Sequence, residues 1–170
     1  MRNVTESCFS FNSSVLMDRA GHVKLADFGF AKRCDSLEDG KTYTLCGTPD
    51  YLAPEIITRQ GHDGRVDWWA LGVLIFEMLA GEFLFVYFRM GNVYDVLFTG
   101  FPPFVGETAM DTYVLALSGN VVSFPAQCGL DGMTDAIELV RGLLIVDPDV
   151  RTDAAGIGCC QWFKDVVRLF

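Results

Sequence analysis

Residues 25–55 read LADFGFAKRCDSLEDGKTYTLCGTPDYLAPE. The tripeptide Asp27-Phe28-Gly29 stands near the start of this stretch, and Ala53-Pro54-Glu55 stands at its end. No helical or strand period persists between the two, and glycine, threonine, aspartate and proline are frequent, so the sequence predicts a long loop. Long loops inside compact domains are usually functional or disordered, which makes this stretch the first candidate for a functional segment.

Two short strands are predicted directly before this loop. They cover Val15–Asp18 and His22–Ala26 and are joined by Arg19-Ala20-Gly21. Gly21 supplies the positive φ angle that a tight hairpin requires. The sequence therefore predicts a β-hairpin that leads straight into Asp27.

Helices are predicted for the rest of the chain. Asp67–Ala80 has the length of a helix, an acidic residue at its start and Gly81 as its C-cap. This helix is apolar on nearly every face, so we expect it to run through the core. Thr108–Ser118 and Thr134–Leu144 have the pattern of amphipathic helices.

Composition excludes several classes of protein. Hydrophobic residues make up 51% of the 170 residues and charged residues 21%, which argues against disorder. A net charge of -9 argues against a nucleic-acid binder and favours basic partners. The six cysteines show no metal-ligand or disulfide spacing, so we expect a reducing, cytoplasmic location.

Residues 71–88 are apolar, but Glu77, Gly81 and Glu82 within them argue against a membrane span.

The two tripeptides bracket the activation segment in the protein-kinase signature. With residues 41–49 (KTYTLCGTP) and 67–72 (DWWALG), they make the chain resemble the cyclic-nucleotide-dependent branch of the eukaryotic serine/threonine protein kinases. The match covers Val15–Gly81 and Phe101–Phe163, leaving residues 1–14 unmatched. We therefore expect residues 15–170 to be a partial kinase domain.

The resemblance implies the C-terminal lobe of the protein-kinase fold, mostly α with a short β-hairpin at its N-terminal end. It also implies a serine/threonine kinase that uses ATP and Mg²⁺ on basic protein or peptide substrates. The partners it implies are such substrates, pseudosubstrates and a regulatory subunit or domain.

Several residues take roles through this resemblance. Asp27 would be a Mg²⁺ ligand beside the nucleotide phosphates, although a capping aspartate at a strand end is the structural alternative. Thr44 would be the activating phosphorylation site, or else an ordinary loop hydroxyl. Lys32, Arg33 and Lys41 are the cations that could meet its phosphate.

The resemblance also implies a substrate-binding surface formed by Leu45, Thr48, Pro49, Leu52 and Glu77. The leucines and the proline would line the pocket for an apolar residue that follows the phosphorylated serine or threonine. The glutamate would pair with an arginine of the substrate. An acidic residue in an apolar helix needs some partner in any case, so a purely structural role stays open for it.

Three further residues are expected to be structural. By resemblance, Glu55 and Arg151 form a buried ion pair that ties the activation segment to the C-terminal helices. Asp67 is expected to brace the catalytic loop through backbone hydrogen bonds.

The catalytic loop departs from the family pattern. By the resemblance, the signature asparagine, a ligand of the second Mg²⁺, directly precedes the first strand and lies five residues after the catalytic aspartate. Its position here is Ser14, and serine is a poor replacement for that ligand. The catalytic-base position is then Phe9, and the preceding arginine is replaced by Cys8. A phenyl ring cannot accept a proton, and residues 1–14 hold no Gly-rich loop. The chain is therefore predicted to be inactive in isolation.

Residues 82–100 (EFLFVYFRMGNVYDVLFTG) interrupt the family run and are rich in Phe, Val and Tyr. They are either a hydrophobic insertion that contacts a partner or membrane, or the product of a translated intron or a gene-model error. We favour the second interpretation. Residues 1–14 could share that origin. The chain as a whole is then a kinase fragment, a non-catalytic binding module for basic or regulatory partners, or a product without function.

Overall fold

The structure is a computed structural model of the chain. Side chains and backbone are described for residues 15–32, 40–81, 101–124, 128, 130 and 132–164, and backbone alone for 88–90 and 93–95. The catalytic-loop positions Phe9 and Ser14, together with Arg33, lie outside the described residues.

An antiparallel hairpin opens the described chain, as predicted. Strand β1 (Val15–Met17) pairs with strand β2 (Val23–Leu25), with Leu16 opposite Lys24. Gly21 has a φ angle of 87°, the left-handed conformation expected at the turn. The hairpin thus delivers the chain to Asp27 at the end of β2.

Two strands that the sequence did not predict extend this sheet. Strand β3 (Phe88–Met90) and strand β4 (Val93–Asp95) form a second antiparallel pair within the 82–100 segment. The strand order is β2-β1-β4-β3, so β4 covers the outer edge of β1. The described elements are mostly α with a β-hairpin at the N-terminal end, as predicted, but the sheet is larger than the short hairpin expected.

Helices form the rest of the described chain. They are a 3₁₀ turn at Pro49–Tyr51 and helices α1 (Pro54–Ile57), α2 (Arg65–Ala80), α3 (Ala109–Leu117), α4 (Thr134–Leu143), α5 (Ala154–Cys159) and α6 (Gln161–Lys164). The three predicted helices are confirmed, with α2 beginning two residues earlier than expected. No helix within the described ranges has the length and apolarity needed to cross a membrane.

Helix α2 lies at the centre of the core, as its all-round apolar sequence predicted. Trp69 and Val73 are completely buried on it. Helix α4 packs closely against it because Gly72 has no side chain: a Cβ atom there would lie 2.8 Å from Cβ of Leu143. The helix ends at Gly81, whose N–H donates to the carbonyl of Glu77 with extended rather than left-handed backbone.

Candidate functional site

The activation segment is fastened to the turn that precedes α2. Thr42 and His62 form an isolated antiparallel bridge, with N–O distances of 2.8 and 2.9 Å in the two directions. Both side chains are buried. Burial lowers the pKa of His62, so its imidazole is held in the neutral form more strongly than in water. The bridge fixes the backbone two residues before Thr44.

Thr44 lies on the exposed side of this bridge, beside a lysine. The ammonium of Lys32 donates to Oγ1 of Thr44 and, at 3.3 Å, to Oγ1 of Thr42. Of the predicted cations, Lys32 therefore contacts the hydroxyl directly, whereas Arg33 lies outside the described residues. A phosphate on Thr44 would therefore lie beside this ammonium.

Asp27 is exposed at the end of β2 and has a φ angle of 57°. Its Oδ1 accepts a hydrogen bond from the N–H of Gly29 at 3.2 Å. Within the described part of the chain, no group of three or more His, Cys, Asp or Glu side chains could hold a metal ion. Mg²⁺ needs near-octahedral oxygen ligation, so a single exposed carboxylate does not make a magnesium site by itself.

The residues predicted to line an apolar substrate pocket fall into two groups. Leu45 is 47% exposed and Pro49 is also exposed, so both lie on the outer side of the segment. Leu52 is buried in the core, and Thr48 is half-buried. Thr48 and Leu52 line a small cavity together with Asp67. Thr48 and Leu52 thus lie together at the cavity, whereas Leu45 and Pro49 lie at the surface.

Glu77 has a partner within the chain. It is buried on α2, and the hydroxyl of Tyr51 donates to its Oε2. Burial raises the pKa of Glu77, the Tyr51 hydrogen bond lowers it, and the charge of Asp50 raises it. Burial and the Glu77 carboxylate also raise the pKa of Tyr51. The Tyr51 hydroxyl thus joins Glu77 of α2 to the 3₁₀ turn that begins at Pro49.

Glu55 and Arg151 form a buried bidentate ion pair. Nη1 of Arg151 donates to Oε1 of Glu55 at 2.6 Å, and Nη2 donates to Oε2 at 2.8 Å. The Arg151 side chain is 1% exposed and the Glu55 side chain is 7% exposed. The Arg151 guanidinium also donates to three carbonyl oxygens, those of Ile145, Val146 and Arg65. Its remaining donors are thereby satisfied, which a buried charge requires.

The family model described as the protein kinase domain matches residues 12–163. This chain belongs to the protein kinase family.

Curated relatives place it beside the cAMP-dependent kinases. A cAMP-dependent protein kinase catalytic subunit of Dictyostelium discoideum is 42% identical over 158 residues, covering 90% of this chain and 20% of the relative. The cAMP-dependent protein kinase catalytic subunit PRKX of Mus musculus is 40% identical over 158 residues, covering 90% and 37%. A catalytic subunit-like protein of Caenorhabditis elegans is 42% identical over 163 residues, covering 90% and 33%. The chain spans between 20% and 37% of the length of these relatives.

In this kinase chain, Asp67 is half-buried in the first turn of α2. That position follows from the Gly64 N-cap, which starts the helix at Arg65. The catalytic-loop segment that Asp67 is expected to brace belongs to residues 1–14, outside the described part. Its predicted role therefore remains a prediction.

Sequence reasoning missed two groups of residues that hold the described part of this kinase chain together. Trp69 stacks on Phe104 with ring centroids 5.5 Å apart, and the Arg151 guanidinium lies 5.2 Å from the Trp69 ring. Arg65 pairs with Asp63 at 2.8 Å and contacts Asp149. A tryptophan in an apolar helix indicates burial. No local pattern, however, predicts which distant aromatic ring contacts Trp69 or that Asp149 contacts Arg65.

Proposed function

We propose that this chain is the peptide-binding lobe of a serine/threonine protein kinase that recognises basic substrates or pseudosubstrates. We also propose that the chain does not transfer phosphate in isolation. The names of the relatives support the first part, since they are catalytic subunits of cAMP-dependent kinases. A regulatory subunit that presents a basic segment is the corresponding partner.

One observation carries this proposal: Glu77 is a buried carboxyl in an otherwise apolar helix, and it accepts a hydrogen bond from Tyr51, the neighbour of Asp50 in the predicted substrate-binding segment. Glu77 is stabilised in place by the Tyr51 hydroxyl, and its charge is destabilised by burial. An arginine brought to this carboxylate by a peptide would offset both the burial cost and the repulsion from Asp50. The exposed Leu45 and Pro49 offer apolar contacts on the same segment.

Replacing Glu77 by glutamine is expected to weaken binding of a basic peptide by about tenfold or more. The probe is a fluorescein-labelled peptide with two adjacent arginines, an alanine in place of the phosphoacceptor and a leucine after it. Fluorescence anisotropy on the 170-residue chain gives the dissociation constant. The matched control is Glu107→Gln, which removes the same charge at an exposed position and should leave binding nearly unchanged. Equal affinities of the two variants would contradict the assignment of Glu77.

The stability of the Glu77→Gln variant shows whether weaker peptide binding could result from a loss of folding. Because burial raises the pKa of Glu77 above its ordinary 4.5, the folded state holds the proton more tightly than the unfolded chain. This group's contribution to stability is therefore present below pH 4.5 and lost as the pH rises through the raised pKa. Glutamine carries no charge and still accepts from Tyr51, so the variant should be at least as stable as the parent at pH 7 in a thermal unfolding measurement.

The chain alone is expected to show no phosphoryl transfer. Phe9 occupies the catalytic-base position and Ser14 that of the second metal ligand, so proton acceptance and charge stabilisation at the reacting oxygens are both lost. The test incubates the purified chain with radiolabelled ATP, Mg²⁺ and the serine form of the same peptide. Labelling of the peptide that rises with chain concentration and disappears in Asp27→Asn would overturn the prediction.

A further inference from the structure

We propose that the exposed apolar face of helix α3 binds the same face of a second copy of this chain, with the two α3 helices antiparallel. This α3 face consists of Met110, Val114 and Leu117 on the helix, with Val105 before it and Val121 after it. Each of these side chains is between 37% and 73% exposed. Such pairing is independent of the peptide binding proposed above, which involves Glu77.

Helix α3 carries its large apolar side chains on the outside and small side chains against the core. Met110, Val114 and Leu117 are spaced by four and three residues, so they share one side of the helix, and all three are exposed. The buried positions are Thr112 and Ala116. A surface helix normally has the reverse arrangement, with its apolar side towards the core. The outward side of α3 is therefore built like a surface that another protein covers.

Local hydrogen bonds hold the helix in this orientation. Oγ1 of Thr108 accepts from the N–H of Asp111 at 3.3 Å, and Oδ2 of Asp111 accepts from the N–H of Thr108 at 3.0 Å. On the buried side, Oγ1 of Thr112 accepts from the N–H of Gly106 at 3.0 Å. Asp111 is the only charged residue in the α3 sequence, and this capping box engages its carboxylate at the N-terminal end. Turning the apolar face inward would break these contacts.

The charge pattern favours a second copy as the occupant. Residues 112–124 (TYVLALSGNVVSF) contain no charged residue, whereas 21% of the whole chain is charged and its net charge is -9. A basic partner would find no carboxylate along this stretch. A helix that lies on a membrane surface is usually rich in lysine or arginine, and α3 has neither. An uncharged apolar face is complementary to itself, which is what a two-fold symmetric dimer requires.

The α3 face is large enough for a dimer of moderate affinity. Five apolar side chains exposed to this degree present roughly 400–500 Å² in each copy, as much as the largest apolar patch of a typical monomer. Two such faces with their polar surroundings reach the low end of a specific interface, about 1,200 Å² in total. We therefore expect a dimer that dissociates on dilution through the micromolar range.

The antiparallel arrangement follows from the position of the carboxylates. Glu107 and Asp111 lie at the N-terminal end of α3. An antiparallel pair keeps the carboxylates of the two copies at opposite ends of the interface and opposes the two helix dipoles, whereas a parallel pair would bring all four carboxylates together. Val114, in the middle of the α3 face, then lies close to Val114 of the other copy.

Sedimentation equilibrium of the full 170-residue chain, from about 1 to 100 µM, tests the proposal. The mass of the parent is expected to rise with concentration from 18.8 kDa towards about 38 kDa. Val114→Glu sets two carboxylates against each other at the centre of the interface and should raise the dissociation constant at least about tenfold. The matched control is Val23→Glu on β2, because Val23 and Val114 are both 61% exposed.

Two further measurements protect this test. Far-ultraviolet circular dichroism shows whether each variant keeps its helices, and Met110→Glu, at a site that is also exposed, replaces Val114→Glu if that variant unfolds. An equal mixture of Val114→Glu and Val114→Lys should regain the dimer that neither variant forms alone, because opposite charges then meet across the two-fold axis.

Each result decides the proposal. Dissociation by Val114→Glu but not by Val23→Glu, with recovery in the mixture, supports it. A parent that stays at 18.8 kDa over the whole range overturns it and leaves the α3 face to a different protein. An assembly that survives both Val114→Glu and Met110→Glu, or that Val23→Glu disrupts equally, also overturns it, because another surface then joins the copies. Dissociation without recovery in the mixture overturns the antiparallel pairing.

Discussion

Replacing Arg151 by alanine is expected to destabilise the chain by about 3–5 kcal/mol. The change leaves the Glu55 carboxylate buried without its bidentate partner, and it removes donors from three carbonyl groups. Urea unfolding followed by tryptophan fluorescence measures the loss as a lower midpoint at an unchanged slope. A change in slope would show that the compactness of one of the two states had also changed.

The control for Arg151 is Arg141, which is exposed and donates one hydrogen bond to the Val122 carbonyl. Arg141→Ala should cost about 1 kcal/mol or less. Replacing both members of the pair, as Glu55→Leu with Arg151→Met, should cost much less than Arg151→Ala because no unpaired charge then remains. If Arg151→Ala costs no more than Arg141→Ala, the ion pair does not stabilise the lobe.

Replacing Trp69 by alanine is expected to lower the free energy of unfolding by about 3–5 kcal/mol. The side chain is completely buried and contacts both the Phe104 ring and the Arg151 guanidinium, so its removal opens a cavity and ends both contacts. Thermal unfolding followed by circular dichroism would show a lowered melting temperature. Because Trp69 and Arg151 touch, the double alanine variant should lose less stability than the sum of the two single changes.

Two comparisons sharpen the test of Trp69. Its indole N–H is buried with no hydrogen-bond partner among the described residues. Trp69→Phe keeps an aromatic ring and removes this donor, so it should cost clearly less than alanine. Trp162→Ala, at a site that is 36% exposed, should have a smaller effect than Trp69→Ala. Equal losses at Trp69 and Trp162 would contradict the central place of Trp69 in the core.

Local patterns predicted the local structure well. The β1–β2 hairpin follows from Gly21 between two apolar runs, and α2 follows from an unbroken apolar stretch that ends at Gly81. Such features depend on residues a few positions apart, which is the range over which periodicity and turn chemistry act. The family motifs then placed this helix in a protein kinase domain.

The periodicity of the sequence could not predict contacts between residues that are far apart along the chain. The need of Glu77 for a partner could be stated from its apolar surroundings, but the choice of Tyr51, 26 residues away, could not. The partnership of Glu55 with Arg151 was expected only through the family resemblance. Strands β3 and β4 lie in residues 82–100, which depart from the family pattern, and no strand was predicted there.

The ion pair also has a consequence for synthesis on the ribosome. Glu55 and Arg151 are 96 residues apart, so Glu55 is made well before its partner exists. At roughly 5–20 residues per second, the delay is on the order of 5–20 seconds. Throughout that interval the nascent chain carries the apolar stretch of α2 without the helices that later cover it. Newly made chains should therefore depend on a chaperone that holds exposed hydrophobic segments until residue 151 emerges.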